Sequence, residues 1–314
     1  MLEMDEQTFR RRAAIGSGHV GLETMSKSHG RSSSMRVHRG KLETLLSEGL
    51  DIRRQHSLTG IDHVSQGNHL TFENGQSIET STLIGADGVH SQVRKLVVPQ
   101  LQFDILPFVV YYGRRRLTLD HFRSTFVPYL KDKTVIESRK GDVLLRITVN
   151  EYLDEAVEIG YTFSRPARAQ DPLHQPDRPN SDARKIPDEL FSEIASLAQL
   201  EEPFAEVFDS GEVHEDRLLH WLMRSLTVGP EDLERLASKG VVLLGDSAHA
   251  MPILGGEGAN AAIMDALEMA EHIASQGTEG LAAFQGARSE GWREQVERSK
   301  IVLKEMHIDS RSQL

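Results

Sequence analysis

Cysteine is absent from all 314 residues. That absence removes a disulfide framework, a thiolate metal site and a cysteine nucleophile together, and it is compatible with a reducing, cytoplasmic setting. Positive charge is in deficit, with 36 Lys and Arg against 47 Asp and Glu and a net charge of -11. A general nucleic-acid binder, or a protein held to an anionic membrane, needs a basic face to release counterions or meet headgroups. Small molecules are therefore the expected partners. No apolar run approaches the length of a membrane span, and the first residues, which include Arg10, Arg11 and Arg12, lack the apolar core of a signal peptide. Also missing are an H-E-x-x-H pair, a G-x-S-x-G nucleophile turn and a P-loop. No catalytic side chain and no metal ligand is nominated from the sequence; His249 beside Asp246 reads as a structural histidine.

A chain of this length can bury a large core, and single cores seldom grow past roughly 250 to 300 residues, so two lobes are expected. The stretch around which they are organised runs from Gly240 to Ala274. Val241 to Leu244 is an unbroken apolar run between glycines, the pattern of a strand buried on both faces. Gly245 and Asp246 follow as a tight turn carrying one acid, at the place where open α/β sheets keep their ligands. Gly255, Gly256 and Gly258 then leave the backbone bare ahead of a helix. Ile263, Ala266, Leu267, Ala270, Ile273 and Ala274 recur at helical spacing, with Asp265, Glu268 and Glu271 read onto the opposite, outer face. The first turn of such a helix presents unpaired amides that favour negative charge.

Upstream, Gly16-Ser17-Gly18-His19-Val20-Gly21 fits the dinucleotide fingerprint G-x-G-x-x-G literally. The fingerprint needs a buried strand before it and a helix, a second strand and an acid after it. Here three arginines precede a run of only Ala13, Ala14 and Ile15, and a polar stretch from Lys27 to Ser34 follows, so coincidence is the favoured reading. A compact NAD(P)-binding start remains the weaker alternative. Residues 35–50 read as a short helix with Leu42, Leu45 and Leu46 inward and Gly49 as its stop, and with Arg39 just ahead of it. From Leu50 the period changes to two. Leu70 and Phe72, then Asn74-Gly75, then Ser77 to Thr80 predict a hairpin within a meander that feeds the strand before Asp87-Gly88.

Between 99 and 225 the alternation at Val135-Ile136, Val143 to Val149 and Val157 to Phe163 predicts antiparallel strands. Arg165 to Pro187, with five prolines, reads as a long exposed loop, and Pro187-Asp188-Glu189 opens a helix. Tyr111, Tyr112, Phe126, Tyr129, His220 and Trp221 could line a pocket, although aromatics in such a lobe are more often core. Leu281 to Met306 reads as a packing helix.

Three of these segments, in this order, resemble motifs of the flavin-dependent aromatic hydroxylases, the p-hydroxybenzoate hydroxylase-like monooxygenases. Gly240 to Ala274 resembles their Gly-Asp motif, Thr82 to Arg94 their Asp-Gly motif, and the segment around Arg39 their arginine motif. The resemblance implies that Asp246 binds the ribityl chain of FAD and that the helix start from Gly256 through Gly258 to Asn260 faces the flavin ring. It implies that Arg39 reaches toward FAD, that Asp87 is linked to FAD and to the pyridine nucleotide, and that Arg94 fixes the turn. Arg39, Asp87, Gly88, Arg94, Gly245, Asp246, Gly256, Gly258 and Asn260 form the expected cofactor set. Ile253 departs from the family, which often has a second proline there.

The fold implied is α/β, a truncated FAD-binding Rossmann-like lobe (35–98 and 226–314) with a second, mainly antiparallel β lobe for substrate (99–225), after a poorly defined segment 1–34. In the family the true fingerprint lies well upstream of the arginine motif, so the expectation is that this chain begins after it. The function implied is an FAD-dependent monooxygenase that uses NAD(P)H and O2 to hydroxylate an aromatic or similar small substrate. A truncated, inactive relative acting as a binding or interaction protein is the alternative. The sequence leaves substrate, oligomeric state and the choice of NADH or NADPH open.

Overall fold

A computed structural model describes residues 37–308 apart from 66, 132, 198 and 256. The readings placed on Gly16 to Gly21 and on Gly256 therefore lie outside the described residues. Helix α1 (Arg39–Ser47) is capped by His38, whose ring accepts the Lys41 N–H at 3.4 Å. Its expected inward leucine face is only partly formed: Leu42 and Leu45 are half-buried and Leu46 is exposed. What fastens the helix is charge, since His38 and Lys41 lie 3.7 and 3.1 Å from Glu151 of the second lobe.

The predicted meander is present as β1 (Leu58–Val64), β2 (Gly67–Phe72) and β3 (Ser77–Thr80), antiparallel in that order, with Asn74-Gly75 at the tight turn. There the Asn74 Oδ1 accepts the Gln76 N–H at 3.0 Å, the local bond that favours asparagine in turns. Strand β4 (Leu83–Gly85) and helix α2 (Gln92–Val97) follow.

A short strand, β5 (Asp104–Ile105), leads to the five-stranded antiparallel sheet of the second lobe. Its members are β6 (Phe108–Thr118), β7 (Val135–Lys140), β8 (Val143–Tyr152), β9 (Ala156–Pro166) and β10 (Leu219–His220), ordered β10-β6-β9-β8-β7. Period-two alternation gives it two unlike faces. Val109, Tyr111, Leu145, Ile147, Ile159 and Phe163 point into the main core, where α3 (Asp188–Ala195), α4 (Phe204–Val207) and α5 (Ser210–Glu215) add Leu190, Ile194, Val207 and Val213. Each such side chain contributes about 1.5 to 3 kcal/mol on leaving water.

The proline-rich segment 165–187, expected as a loose exposed loop, is fastened at its start. Arg165 is buried and donates to Glu193 Oε1 at 2.6 Å, to Glu193 Oε2 at 2.8 Å and to both oxygens of Asp171, while Leu173 sinks into the core beneath it. A guanidinium out of water requires such acids, and they hold the loop against the sheet.

The chain then returns to the first lobe through β11 (Arg224–Thr227), α6 (Pro230–Ala237), β12 (Val241–Leu243), β13 (His249–Ala250), α7 (Gly258–Gln276) and α8 (Leu281–Glu305). Strand β12 pairs parallel with β4, Val241 opposite Leu83 and Leu243 opposite Gly85, and its three residues are buried as the apolar run predicts. A small sheet, β13-β11-β5, stands beside it.

Helix α7 reverses the expected facing. Ala261, Asp265 and Met269 are buried, whereas Ile263 and Leu267 are 43% and 55% exposed. The buried face is the one on which Asp265 meets a set of donors, described below. Helix α8 packs through Phe284, Trp292 and Val296, as its spacing predicts, while at its end Leu303 is buried and Val302 and Met306, which the spacing put inward, are half-buried. Just beyond it the His307 Nδ1–H donates to the Leu303 carbonyl at 2.8 Å, so Nε2 accepts the Ser164 hydroxyl at 2.8 Å and ties the helix end to β9. Among the described residues no helix is long and apolar enough to cross a membrane.

Asp171 yields an acid-stability prediction. Burial opposes its ionisation, but the Arg165 hydrogen bonds and the N–H groups of Arg168 and Leu173 outweigh it and hold the carboxyl at about 2, below the usual 3.8. The folded pKa is depressed, so its contribution is present above about pH 4 and is lost as pH falls toward 2. It amounts to about 2 kcal/mol. Thermal unfolding between pH 5 and 2 is expected to show this loss in the wild type and to lack that component in Asp171→Asn; parallel pH curves for the two would refute the assignment.

Candidate functional site

Because β4 and β12 are parallel neighbours, the turns after them leave the sheet at the same carboxyl edge. One turn carries Asp87 and Gly88, the other Gly245 and Asp246. Ser247 joins them: its Oγ accepts the Leu244 N–H at 2.9 Å and donates to the Gly85 carbonyl at 2.5 Å. Arg94, only 2% exposed, joins them again by donating to the carbonyls of Asp246 at 3.2 Å, Ser247 at 3.0 Å and Val89 at 2.6 Å. Burial lowers its pKa, while the charges of Asp87 and Asp246 pull the other way.

The two acids differ in what they have left to offer. Asp87 is exposed, and its carboxylate accepts from the Ser91 hydroxyl at 2.5 Å and from the Gln92 and Val93 N–H groups at 2.6 and 3.1 Å. It serves as an N-terminal cap of α2, with Gly88 at φ +79° completing the turn. Asp246 is half-buried, and among the described residues its carboxylate accepts no hydrogen bond. Burial pushes its pKa up against the opposing pull of His249 and Arg94.

The carboxylate of Asp246 faces the start of α7, where a Cβ built on Gly258 would lie 3.5 Å from its Oδ1. Gly245 must be glycine: φ is +57°, and a Cβ there would come within 2.9 Å of the Ala262 methyl. Asn260 is exposed on the first turn of α7. Gly245, Asp246 and Gly258 thus meet at one place, Asp87, Gly88 and Arg94 border it, and Asn260 stands on the same helix start. Arg39 is exposed at the start of α1, and among the described residues no hydrogen bond or ion pair links it to the others.

Sequence reasoning placed Asp265 on the solvent side of α7. It is instead fully buried and accepts from the Gly245 N–H at 3.2 Å, His249 Nε2 at 2.5 Å, Arg288 at 2.8 Å and Trp292 Nε1 at 2.8 Å. Burial alone would raise its pKa, but the bonds from His249, Trp292 and Arg288 reverse the sign and hold it low. The signal available in the sequence was the pair of potential donors on α8, Arg288 and Trp292, which helical spacing alone does not connect to Asp265.

A cationic cluster flanks α2. Phe103 lies between the guanidinium groups of Arg94 and Arg224, 5.2 and 5.7 Å from its ring centre, and His90 meets its edge at 6.4 Å. Arg224 donates to Asn180 Oδ1 at 2.9 Å and Arg178 to His220 Nδ1 at 2.9 Å, neutral partners that leave both charges uncompensated by these bonds. Burial, then Arg178, His174 and Arg224, depress His220 to about 4, so it is neutral near pH 7.

The six aromatic candidates separate. Tyr111 and Phe126 belong to the main core, His220 is buried in a stack on Tyr111 at 4.8 Å, and Tyr129 is exposed. Tyr112 and Trp221 are half-buried and stacked on each other at 4.4 Å and 11°, on the opposite face of the sheet.

A family model described as an FAD binding domain matches residues 212–286, which include Asp246, Gly258 and Asp265. The FAD-dependent monooxygenase adaC of Aspergillus niger is 33% identical over 307 residues, covering 94% of this chain and 74% of its own. The FAD-dependent monooxygenase aptC of Emericella nidulans is 32% identical over 270 residues, 82% of this chain and 64% of its own. Among solved structures, Klebsiella pneumoniae HpxO complexed with FAD and uric acid superposes with a TM-score of 0.63 at 17% identity, over 87% of this chain and 64% of that one. The 2,6-dihydroxypyridine-3-hydroxylase of Arthrobacter nicotinovorans does so with a TM-score of 0.63 at 18% identity, over 85% and 68%. The two structures establish the shared fold, and the identity to adaC over most of both chains adds the family: this chain belongs to the FAD-dependent monooxygenases.

Proposed function

We propose that this chain is a flavin hydroxylase that takes two electrons from NAD(P)H and inserts one atom of O2 into an aromatic or similar electron-rich small molecule, the other atom leaving as water. The observation that carries the reading is the unmatched Asp246 carboxylate, set against the bare start of α7 and joined through Arg94 to the turn of Asp87. A half-buried carboxylate lacking hydrogen-bond donors fits a polyol such as a ribityl chain, whose hydroxyls would supply them. The amide-rich helix start fits a ring that gains negative charge on reduction. When bound, FAD would supply the electron transfer and the oxygen activation.

On this reading the chain's own residues bind and orient. Asp246 holds the ribityl hydroxyls, Gly245 and Gly258 let the backbone approach the cofactor, and Asn260 stands on the helix start beside the ring. Asp87 and Gly88 border the remainder of the cofactor, Arg94 keeps the two turns together, and Arg39 is assigned to the same cofactor from α1. The pairing of β4 with β12 supports taking 35–98 and 226–314 as one lobe, with 99–225 as the substrate lobe. The guanidinium groups of Arg224 and Arg178 beside α2, held by neutral partners, support a phosphate-bearing partner there, and NAD(P)H is the natural candidate. A cytoplasmic location accords with the use of that reductant.

Three outcomes test the reading. Asp246→Ala is expected to weaken FAD binding, read by quenching of flavin fluorescence, by about tenfold or more, with circular dichroism unchanged. The wild-type affinity should also begin to fall, on acidification, above the range of an ordinary exposed carboxylate, because burial raises this one. An unchanged dissociation constant in Asp246→Ala would remove the central assignment. Separately, Arg224→Ala is expected to raise the KM for NAD(P)H by about tenfold while FAD affinity stays as in the wild type; equal KM values would detach the cationic cluster from the reductant.

A further inference from the structure

The face of the five-stranded sheet turned away from the main core is covered by an apolar cluster at one end. There Phe108 and Val110 pack with Met223, Leu254 and Leu303, and Leu254 belongs to the loop that leads into Gly258. The next residue of β6 on this face is Tyr112. It stacks on Trp221, which itself packs against that apolar cluster. Beyond Tyr112 the face turns polar, with Thr148 and Asn150 half-buried, and one residue past Asn150 stands Glu151, to which α1 is tied. The Tyr112 and Trp221 rings therefore lie on a floor bounded by the Leu254 loop at one end and by the helix carrying Arg39 at the other.

Hydrogen bonds fix the direction of the Tyr112 hydroxyl. The Thr148 Oγ1–H is shared between Asn150 Oδ1 at 3.2 Å and the Gly160 carbonyl at 3.1 Å. The Asn150 carbonyl oxygen is thereby turned toward Thr148, and its Nδ2 donates to Tyr112 Oη at 2.9 Å. The phenol oxygen is an acceptor in this bond, so its own proton points elsewhere, and no acceptor among the described residues takes it. Gly160 makes the arrangement possible: a Cβ there would come within 2.6 Å of Tyr112 Oη and 2.8 Å of Asn150 Nδ2, so a side chain would displace the ring.

The geometry points to Tyr112 as a substrate-orienting residue: Trp221, whose inner face Tyr112 covers, offers its outer face to a planar ring system, and the unclaimed Tyr112 O–H donates to an oxygen on that ring, a phenol, phenolate or ring carbonyl. The inference rests on the flavin-hydroxylase reading above and assigns it a substrate-contacting residue. Stacking supplies affinity that tolerates many ring systems, while the single donor selects those with oxygen at the right edge. Asn150 acts through Tyr112 as a positioning residue.

The test uses the full chain loaded with FAD and two probes that differ by one hydroxyl, 2-naphthol and naphthalene, with dissociation constants measured by calorimetry. Tyr112→Phe is expected to weaken 2-naphthol by about five- to tenfold and to leave naphthalene within about twofold. Trp221→Leu should weaken both, and Asn150→Ala should weaken 2-naphthol more than naphthalene. FAD affinity should be the same in all four proteins. If Tyr112→Phe binds both probes as the wild type does, or if the FAD-loaded wild type binds neither, the inference fails while the flavin reading stands. If the wild type takes up no FAD, it is the flavin reading that fails.

Discussion

One buried carboxylate holds the site together. Asp265 has no contact with water and accepts from a backbone N–H, an imidazole, an indole and a guanidinium supplied by the Gly245 turn, β13 and α8. An ionised acid left alone in such a place would cost several kcal/mol, so the donors are required rather than incidental. Their convergence has a geometric consequence. The residue just ahead of Asp246 is fastened from behind by the Gly245 N–H, and the helix start that Asp246 faces is fastened through Asp265 on the same helix. Both sides of the proposed ribityl site are thus referred to one anchor.

The second constraint joins parts of the chain far apart in sequence. Arg94 belongs to the helix that Asp87 caps, yet its guanidinium spends its donors on the carbonyls of Asp246, Ser247 and Val89. A planar donor group with carbonyls on both sides fixes the separation of two turns more rigidly than a flexible ammonium would. Asp87, already accepting three hydrogen bonds, shapes the edge of the site as much as it offers itself to a ligand. Asp246, accepting none among the described residues, is the group with binding capacity in reserve. The two acids look alike as motifs, and only their hydrogen-bond accounts distinguish them.

What was legible in the sequence was whatever depends on near neighbours or on a long motif. Asn74-Gly75 fixed its hairpin through a bond within the turn, Val241 to Leu243 announced a strand buried on both faces, and two of the three motifs put Asp87, Asp246 and Gly258 on one edge, while the third left Arg39 apart on α1. Less legible was whatever depends on a partner distant along the chain. Counting apolar residues put Ile263 and Leu267 inside α7, because one carboxylate cannot outvote them in a periodicity. In the folded protein the face of Ala261, Asp265 and Met269 is the buried one, and Asp265 meets its donors from β13 and α8 there. The five prolines of segment 165–187 suggested looseness for a similar reason, since Arg165 lies before the run and Glu193 after it. Tyr112 was indistinguishable from Tyr111 in sequence, although one lies in the core and the other on the open face.

The two lobes illustrate why chemistry sits where it does in each kind of sheet. Strand β12 is buried on both faces, so side chains along it have no access to a ligand, and polar function is confined to its end, where Gly245 and Asp246 emerge. Strand β6 has one face in the core and one face open in part, so function can occupy the middle of the strand at every second residue. A one-residue slip of β6 would exchange Tyr111 for Tyr112, burying a phenol that relies on Asn150 and stripping the core of a ring that stacks on His220. The register is held by the eleven paired positions between β6 and β9 and by Gly160, which alone leaves room for the Tyr112 ring to cross its neighbour. The proposed ligand contact in the second lobe is therefore as strongly fixed by strand register as the proposed cofactor contact in the first lobe is by a buried charge.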